Sequence, residues 1–511
     1  MKKNTAVIAL VMSLLFSALP TVGRAKESTT APNVPTTSAQ PTVQQPVSQE
    51  DIVIVRLKDG ADREKFDEAL DEVHGKVLRT VSVGKELTFL YVQVEHGQAA
   101  KVEEKLSKNK DVSLAERNRI YHLPQIRPSS DSNAIASAES VSAQAKKPPK
   151  KSKKTKKQKK KKKKKKNTGP SNALVPMPND PKFSWEVDAA QEKFTGMRAE
   201  DTTYGNFVNY CSIDSGSTNL SPEFTVTTQY NYVDPASPAF GSTETPFDVV
   251  VGWDAYHGTG TLSVAASCTN NGVGIAGLGN DDGQHCNIYV FRQFGLPNES
   301  PGGSTAGIVA ALAFIANNLS PAVINLSMNS YPPYTLNNDP SFRQVAGVLY
   351  QKGSMIYNAA GNGQYNTETN PGLEDDSPPQ NGIVRVAAVD ESGTLTSWSN
   401  WGPQVTAAGL GKNCPCYGII PGTNPTAASS PGLFDLSNPA LDDGTSVAAP
   451  CVAGACACIY RALPAAKKIS LGFPEADRIM WQTATPYPQN HGATLLIPNL
   501  QAAVQAAVND K

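Results

Sequence analysis

Beyond its first 25 residues the sequence contains no run of about 18 apolar residues, the length that a membrane-spanning helix needs. The one long hydrophobic run, Ala6–Leu19, follows two lysines and precedes Gly23 and Ala25. A basic start, a short apolar run and small residues at the end are typical of a secretory signal peptide. We therefore predict a signal peptide over residues 1–25 and a secreted, soluble protein without a membrane span.

Cysteine is absent from the first 210 residues. All eight cysteines come later, at Cys211, Cys268, Cys286, Cys414, Cys416, Cys451, Cys456 and Cys458. The Cys-Pro-Cys spacing at 414–416 is too tight for a usual zinc pair, and no second Cys or His pair follows at zinc-finger spacing. Secretion permits disulfides, but buried thiols also serve as small hydrophobes. The sequence therefore assigns no disulfide pairing.

Charge is unevenly distributed although the total is nearly neutral, with 47 basic and 46 acidic residues. Residues 1–169 hold 34 Lys and Arg against 18 Asp and Glu, a net charge of +16, and residues 170–511 hold 13 against 28, a net charge of −15. Most of the basic excess lies in the lysine tract, residues 146–166, where 16 of 21 residues are Lys. Such a block repels itself and cannot bury a core, so we expect a disordered, protease-sensitive linker.

Nucleic-acid binding by the lysine tract is the alternative interpretation, since basic tracts bind anionic surfaces. The tract lacks interleaved aromatic residues, which single-strand binding surfaces use to stack bases. It also follows a signal peptide, and it would have to survive in the mature protein. We therefore expect no nucleic-acid partner.

The chain divides by composition into five segments. Residues 26–50 form a Ser/Thr/Pro/Gln-rich spacer, residues 51–122 alternate strand and helix patterns in the order βαββαβ, and residues 123–169 form the linker that includes the lysine tract. From residue 170 to 511, short Val- and Ile-rich strands alternate with helical segments, which is typical of a parallel sheet covered on both faces. We predict an α/β fold with three layers, α/β/α, and a mainly parallel sheet, preceded by a small α+β domain.

Histidine is scarce, with only His257, His285 and His491 in residues 170–511, so few side chains could act as a general base there. Functional side chains in parallel α/β sheets gather at the carboxyl ends of strands. Asp214 ends a predicted strand, and His257 precedes a small-residue helix. A strand-end Asp is often only a turn or cap residue, and a lone His is often structural.

Two further polar residues occupy similar positions. Asn362 follows a buried strand and lies between two glycines, where a turn Asn is common. Ser446 begins a helix made almost entirely of Ala, Val, Gly and Cys, and a helix cap is its plain interpretation. Together, however, an Asp, a His, an Asn and a Ser meet the needs of nucleophilic catalysis. A serine nucleophile needs a base, the base needs a carboxylate, and an oxyanion needs fixed donors.

The motifs around these residues closely resemble those of the subtilisin-like serine proteases, the subtilases. They are IDSG at 213–216, HGT at 257–259, AAGN at 359–362 and GTSVAAP at 444–450. The resemblance covers roughly residues 178–500 and implies a serine endopeptidase with Asp214, His257 and Ser446 as the catalytic triad and Asn362 as the oxyanion donor. Residue 448 is Ala, so the G-x-S-x-G motif of α/β-hydrolases is absent.

The resemblance also implies a substrate-binding strand and a propeptide. VINLSM at 323–328 is similar to the strand that lines the substrate cleft, so Leu326, Ser327, Met328 and Asn329 are the expected substrate-binding residues. Residues 51–122 are similar to the family's propeptide, an inhibitor and folding chaperone. We therefore expect a zymogen, protein or peptide substrates, the chain's own propeptide as an intramolecular partner, and a monomer.

Some positions depart from the family's pattern. Gly260 and Ser263 stand where His and Gly are usual, Cys451 stands where His is frequent, and Asn329 replaces a usual Gly, which leaves the width of the primary pocket undetermined. Asn270 and Asn271 match a loop that binds calcium in some relatives, so calcium is a candidate ligand, although two Asn alone do not make a site. No metal or organic cofactor is otherwise implied.

Two competing interpretations remain open. Sedolisins share a Gly-Thr-Ser element but use Glu in place of His, and His257 argues against them. A catalytically inactive relative that acts as a secreted binding protein would lack one of the four roles, and here every role has a candidate residue. A serine-reactive phosphonate probe would separate an enzyme from such a binding protein.

Overall fold

The computed structural model describes residues 48–121, 127–128, 182–183, 207–251, 254–269, 271–277, 286–296, 303–328, 336–366, 382–405, 407–418, 434–437, 439–489 and 494–510. The predicted signal peptide and the lysine tract lie outside the described residues, as do Asn270 and Asn329. The fold below is that of the described residues.

Residues 48–121, called the N-terminal unit below, form an antiparallel sheet with two helices. In chain order the elements are a short 3-10 turn (Gln49–Asp51), β1 (Ile52–Leu57), α1 (Arg63–Asp71), β2 (Lys76–Val83), β3 (Leu87–Gln93), α2 (Ala99–Ser107) and β4 (Val112–Arg117). The strand order is β2-β3-β1-β4, and every pairing is antiparallel. The predicted order of strands and helices is therefore the observed one.

The first helix of the N-terminal unit, α1, spans nine residues. It begins at Arg63 because the side chain of Asp62 accepts a hydrogen bond from the backbone N–H of Lys65. It ends at Asp71, and the chain then turns through His74, whose φ of 50° is left-handed, to reach β2.

The strands outside the N-terminal unit are mostly short. They are β5 (Arg127–Pro128), β6 (Lys182–Phe183), β7 (Val208–Asp214), β8 (Thr228–Asn231), β9 (Thr243–Glu244), β10 (Val250–Val251), β11 (Asp254–Ala255), β12 (Ile275–Ala276), β13 (Cys286–Arg292), β14 (Val323–Leu326), β15 (Met355–Ala359), β16 (Ile383–Val389), β17 (Ala407–Leu410), β18 (Cys414–Cys416), β19 (Ala440–Asp443), β20 (Thr485–Pro488) and β21 (Thr494–Ile497).

The helices of this larger part follow the strands in alternation. They are α3 (His257–Ala266), α4 (Thr305–Asn318), α5 (Pro340–Gln351), α6 (Thr445–Ala462), α7 (Ala465–Leu471), α8 (Phe473–Thr483) and α9 (Leu500–Asn509), with a 3-10 turn at Leu336–Asn338.

Ten strands make the central sheet, in the order β9-β8-β13-β7-β14-β15-β16-β17-β21-β20. The pairings from β8 to β21 are parallel, and only the outermost strands β9 and β20 pair antiparallel. Because all the parallel strands end at one edge, residues that follow β7, β14 and β15 meet at that edge. This edge carries the candidate site.

Side chains alternate between the two faces of the sheet and define the three layers. Val323 packs into the core that contains α3, α6, α8 and α9, whereas the next residue, Ile324, packs into the core that contains α4 and α5. Helix α6 is the one described helix long and apolar enough to span a membrane, but nearly all of it is buried in the first of these cores. The predicted α/β/α architecture with a mainly parallel sheet is confirmed.

The N-terminal unit uses the same alternation to contact both its own helices and the larger part. On one face of its sheet, Val53 and Val55 pack with residues of α1 and α2. On the other face, Ile54 and Tyr91 join the core of α4 and α5. The hydroxyl of Tyr91 donates a 2.7 Å hydrogen bond to the carbonyl of Ala306 in α4.

Candidate active site

Asp214 and His257 lie within hydrogen-bond distance of each other, 43 residues apart in sequence. Asp214 is the last residue of β7, and His257 is the first residue of α3. Asp214 Oδ1 and His257 Nδ1 are 2.7 Å apart, and both side chains are fully shielded from solvent. A carboxylate at Nδ1 places the Nδ1 proton toward Asp214 and leaves Nε2 as the nitrogen that can accept a proton.

The Asp214 carboxylate is fixed by further donors. The backbone N–H of Ser215 donates to Oδ1 at 2.7 Å, and the hydroxyl of Thr261, one turn along α3, donates to Oδ2 at 3.1 Å. Hydrogen bonds of this kind stabilise the ionised carboxylate, the form that can support a positively charged imidazole. Neither Ser215 nor Thr261 was singled out by sequence.

The approach of α3 to β7 depends on glycine. A Cβ at Gly258 would lie 2.0 Å from the carbonyl oxygen of Gly216 and 3.2 Å from Asp214 Cβ. Any larger residue at 258 would push the helix start away from the strand end. Gly258 therefore permits the short distance between Asp214 and His257.

Ser446 occupies the second position of α6, directly after Gly444 and Thr445. Its side chain is buried, and Oγ makes no hydrogen bond within the described part of the chain. Its backbone N–H belongs to the first turn, where N–H groups have no acceptor within the helix and the helix dipole is positive. The start of α6 therefore favours negative charge beside Ser446.

Asn362 and Ser446 both lie close to Gly444. A Cβ built on Gly444 would be 2.7 Å from Ser446 Oγ and 3.6 Å from Asn362 Nδ2. Thr445 donates to Asn362 Oδ1 twice, from its backbone N–H at 3.0 Å and from its hydroxyl at 2.8 Å. A backbone N–H can only donate, so Oδ1 must be the acceptor, and the Asn362 NH₂ group is left to donate elsewhere.

The expected substrate-binding strand lies beside the Ser446 helix. Leu326 ends β14, and Ser327 and Met328 follow it as buried residues, whereas Asn329 lies outside the described residues. Ser327 Oγ donates a 2.7 Å hydrogen bond to the Ser446 carbonyl. The structure therefore brings the predicted strand into direct contact with the predicted nucleophile.

The loop around Asn270 and Asn271, a candidate for calcium by sequence, is described only in part, since Asn270 lies outside the described residues. Glu223, which faces this loop, accepts hydrogen bonds from Asn271 Nδ2 at 2.8 Å, from the Ile275 N–H at 3.1 Å and from the Tyr417 hydroxyl at 2.8 Å. Calcium needs several oxygen ligands, but here donors occupy both carboxylate oxygens. Among the described residues no cluster of three or more His, Cys, Asp or Glu could hold a metal ion.

The described cysteines are reduced and mostly buried. Cys451, on the Ser446 helix, lies with its Sγ 4.0 Å from Cys414 Sγ and is only 5 % exposed. Burial raises the pKa of the Cys414 thiol, which keeps it protonated. Cys451 therefore packs in the core beside Cys414.

Comparison with known proteins identifies the family of the chain. The profile of the subtilase family matches residues 208–496. The chain is similar to a halolysin-like extracellular serine protease of Natrialba magadii, with 28% identity over 284 residues that cover 52% of this chain and 47% of the relative. It is also similar to thermitase of Thermoactinomyces vulgaris, with 26% identity over 54% of this chain and 83% of the relative.

A similar fold occurs in fervidolysin from Fervidobacterium pennivorans, a solved keratinolytic enzyme related to subtilisin. The superposition has a TM-score of 0.55 and 17% identity, and covers 91% of this chain and 62% of that one. The chain thus spans about half the length of the halolysin-like relative and a larger share of the other two. Since the family profile covers 289 of the 511 residues, the chain belongs to the subtilase family of serine peptidases.

Proposed function

We propose that this protein is a secreted serine endopeptidase, made as a zymogen, with Asp214, His257 and Ser446 as its triad and Asn362 as oxyanion donor. The observation that carries the proposal is the buried 2.7 Å hydrogen bond between Asp214 and His257 Nδ1. Secretion is supported by the signal-peptide pattern at residues 1–25 and by the extracellular relative from Natrialba magadii.

In the proposed reaction, His257 Nε2 takes the proton of Ser446 Oγ as the oxygen attacks a peptide carbonyl. Asp214 keeps the imidazole in the required tautomer and stabilises its positive charge. The Asn362 NH₂ group and the Ser446 N–H donate to the oxyanion of the tetrahedral intermediate. His257 then gives the proton to the leaving amine, and water releases the acyl group from Ser446.

The backbone after β14 is the proposed surface for the substrate. Residues 326–329 continue a strand of the central sheet, and Ser327 touches the Ser446 carbonyl. An extended peptide that binds along this strand would present its carbonyl group to the serine. Peptide and protein chains in extended conformation are therefore the substrates we propose.

The N-terminal unit is the proposed inhibitor of the larger part. Its residues cap both helices that it covers: Asn118 Oδ1 accepts from the Ala306 N–H at 2.8 Å, at the start of α4. Glu116 accepts from both the backbone N–H and the hydroxyl of Ser341, at the start of α5. An acceptor at a helix start is stabilised by unsatisfied N–H groups and by the helix dipole.

The end of the N-terminal unit enters the larger part as an extended strand. Ile120 forms an antiparallel bridge with Ser304, the Tyr121 N–H donates to the Gly303 carbonyl, and the Thr305 N–H donates to the Arg119 carbonyl at 3.0 Å. Further along the chain, β5 pairs with β19, and β19 ends three residues before Ser446. This strand pairing is what a bound peptide would make, and it supports inhibition by occupation of the cleft.

A fluorophosphonate probe on the full chain tests the proposal directly. We expect one covalent label on Ser446 after processing, caseinolytic activity that appears together with the label, and neither of them in Ser446→Ala. Thr445→Ser, which keeps the hydroxyl, is the matched control and should retain both. An unlabelled wild-type protein that folds and is processed would indicate a binding protein instead of an enzyme.

A further inference from the structure

Asp248 is a fully buried carboxylate beside the candidate triad that no sequence motif identified. Its Oδ1 accepts hydrogen bonds from the Ser215 hydroxyl at 2.7 Å and from the Val249 N–H at 2.8 Å. Its Oδ2 accepts from the Thr259 N–H at 2.7 Å and from the Thr259 hydroxyl at 2.6 Å. Each carboxylate oxygen therefore has one backbone donor and one hydroxyl donor.

These donors flank both members of the Asp214–His257 pair. Ser215 follows Asp214 directly, and its own N–H donates to Asp214 Oδ1. Its hydroxyl also accepts the Gly258 N–H at 2.8 Å, so the residue after His257 is tied to the residue after Asp214. The Asp248 carboxylate thus links the end of β7 to the first turn of α3 through hydrogen bonds.

The backbone conformation at the start of α3 requires support of this kind from its surroundings. Tyr256, directly before His257, has a φ of 64°, in the left-handed region. For a residue with a side chain this conformation is strained and persists only where the surroundings hold it. Tyr256, the residue before α3, makes no side-chain cap. The Asp248 carboxylate accepts the hydrogen bond of the Thr259 N–H instead.

We propose that Asp248 is a positioning residue for the triad, which sets the distance and orientation of His257 relative to Asp214. It acts through Ser215 and Thr259 and does not itself touch the substrate. This inference rests on the proposed function, because it assigns a role in the same reaction. It predicts that loss of the Asp248 carboxylate reduces turnover more than it reduces substrate binding, since other segments form the proposed peptide site.

Asp248→Asn tests the inference with almost no change in shape. An Asn offers one acceptor oxygen and one NH₂ group, but Val249 and Thr259 each present a backbone N–H that can only donate. One of these N–H groups must therefore face the NH₂ group and lose its acceptor. We expect kcat to fall about 10- to 100-fold, with KM within about twofold of wild type, because small misplacements of catalytic groups have effects of this size.

A matched control exists in Asp477, a fully buried carboxylate in α8 that accepts from Tyr357 and Trp481, both on Oδ1. Asp477→Asn removes a buried carboxylate charge without disturbing a contact to the triad, so we expect reduced thermal stability and unchanged kcat. Ser215→Ala and Thr259→Val remove single parts of this hydrogen-bonded link and serve if Asp248→Asn does not fold. Each should lower kcat by less than Asp248→Asn would.

Two readouts separate this inference from the proposed function. The first is the acidic limb of the pH dependence of kcat/KM, whose apparent pKa should fall in Asp248→Asn. Burial raises the pKa of Asp248 to about 7, and the negative charge that it gains on ionising stabilises the protonated imidazole of His257, a contribution that Asn cannot make. The titratable groups whose charges couple to Asp248 are Asp214 and Tyr256. The second is the downfield proton resonance of the Asp214–His257 hydrogen bond, which should shift or broaden in Asp248→Asn and stay unchanged in Asp477→Asn.

The resonance can be measured whether or not the protein hydrolyses peptides. An inactive wild-type protein whose resonance still responds to Asp248→Asn would overturn the proposed function and leave the positioning role supported. An active Asp248→Asn variant with wild-type kcat, acidic limb and resonance would overturn the positioning role alone. Equal losses of kcat in Asp248→Asn and Asp477→Asn would also overturn it, since they would reflect only the burial of a neutralised group.

Discussion

Ser327 Oγ donates a 2.7 Å hydrogen bond to the backbone carbonyl of Ser446. In an uninterrupted helix that carbonyl would accept from the N–H of residue 450, but residue 450 is a proline inside α6 and has no N–H. The hydroxyl of Ser327 therefore replaces the missing helix donor. The contact between Ser327 and Ser446 therefore links the strand proposed to bind substrate to the proposed nucleophile.

We expect Ser327→Ala to weaken both stability and turnover. The buried Ser446 carbonyl would lose its hydrogen-bond donor, at a cost of about 1–3 kcal/mol in the free energy of unfolding. Turnover should fall because the backbone of the nucleophile becomes less restrained. Ser354→Ala is the control, since Ser354 is equally buried and accepts from the Ala322 N–H at 3.0 Å before β15 begins.

Thermal unfolding with a bound serine-reactive inhibitor and kcat on a peptide substrate measure the two effects of Ser327→Ala. For Ser354→Ala we expect a loss of stability without a loss of kcat. The same result in Ser327→Ala would show that the contact between Ser327 and Ser446 has only a structural role.

The sequence predicted the architecture well because the strands and helices of this fold carry their own hydrophobic periodicity. Strand ends and helix starts also marked Asp214, His257, Asn362 and Ser446, and the structure brings Asp214 next to His257 and Asn362 next to Ser446. Their chemical roles remain predictions. The tertiary partners could not be read from spacing, since Asp248 reaches Ser215 across 33 residues that include irregular chain.

The same limit explains other omissions. Glu223 and Tyr417 contact each other over 194 residues, and nothing in either local sequence predicts that pairing. Helix α7 is only seven residues long and follows α6 after a short turn, too short to show a helical period. Local pattern thus finds elements and short motifs, whereas contacts made by single polar side chains between distant segments require the folded structure.

Asn362→Ala tests the proposed oxyanion site. Loss of one oxyanion donor should reduce kcat about 100- to 1,000-fold, with little effect on KM, because the interaction strengthens in the transition state. Ser446→Ala and His257→Ala should nearly abolish activity. Asn400→Ala is a suitable comparison, since the side chain of this neighbouring Asn holds the backbone of Ala360 and Gly363 instead. Near-normal turnover in Asn362→Ala would remove it from the mechanism.

Chelation tests the hydrogen-bonded arrangement around Glu223. Its oxygens accept from Asn271, Ile275 and Tyr417, so we expect no change in melting temperature when EDTA is added or calcium is supplied. Tyr417→Phe should lower stability by about 1 kcal/mol, through loss of one hydrogen bond to a charged group. A melting temperature that falls in EDTA and recovers with calcium would show that this loop binds the ion after all.

Processing of the full chain should begin between Tyr121 and Arg127. Ile120 pairs with Ser304, and Arg127 pairs with Asp443 close to Ser446, as the two ends of a bound peptide would. N-terminal sequencing of the first product, collected early in maturation, measures the cut. Ser446→Ala should stay uncut when purified alone. A first cut within the lysine tract would instead make that tract the primary processing site.

Glu116 makes the docking of the N-terminal unit depend on pH. Burial raises the pKa of Glu116 from its ordinary value of 4.5 to about 8, and the nearby Asp339 carboxylate adds to the rise. Arg119 donates a 2.5 Å hydrogen bond to Asp339, and the Tyr121 hydroxyl also donates to Asp339. Burial raises the pKa of Tyr91, and the charge of Glu116 adds to the rise. The carboxyl groups of Glu116 and Asp339 therefore lie together near Arg119.

The sign follows from proton binding. The docked state holds a proton on Glu116 up to a pH of about 8, whereas the separated unit releases it near pH 4.5. Docking is therefore tightest below pH 4.5, weakens by up to about tenfold per pH unit as the pH rises toward 8, and changes little above that. We therefore expect the N-terminal unit to be held more tightly in acid than in neutral to alkaline solution.

The measurement uses the full chain with Ser446→Ala, which prevents self-processing, and an engineered cleavage site in the lysine tract. After the tract is cut, retention of the N-terminal fragment on the larger part is followed from pH 5 to 9. Glu116→Gln cannot ionise and should flatten the pH dependence. Glu103→Gln, which instead removes the ion pair with Arg117 on the same unit, should keep the slope. An equal slope in Glu116→Gln and wild type would assign the pH dependence to another group.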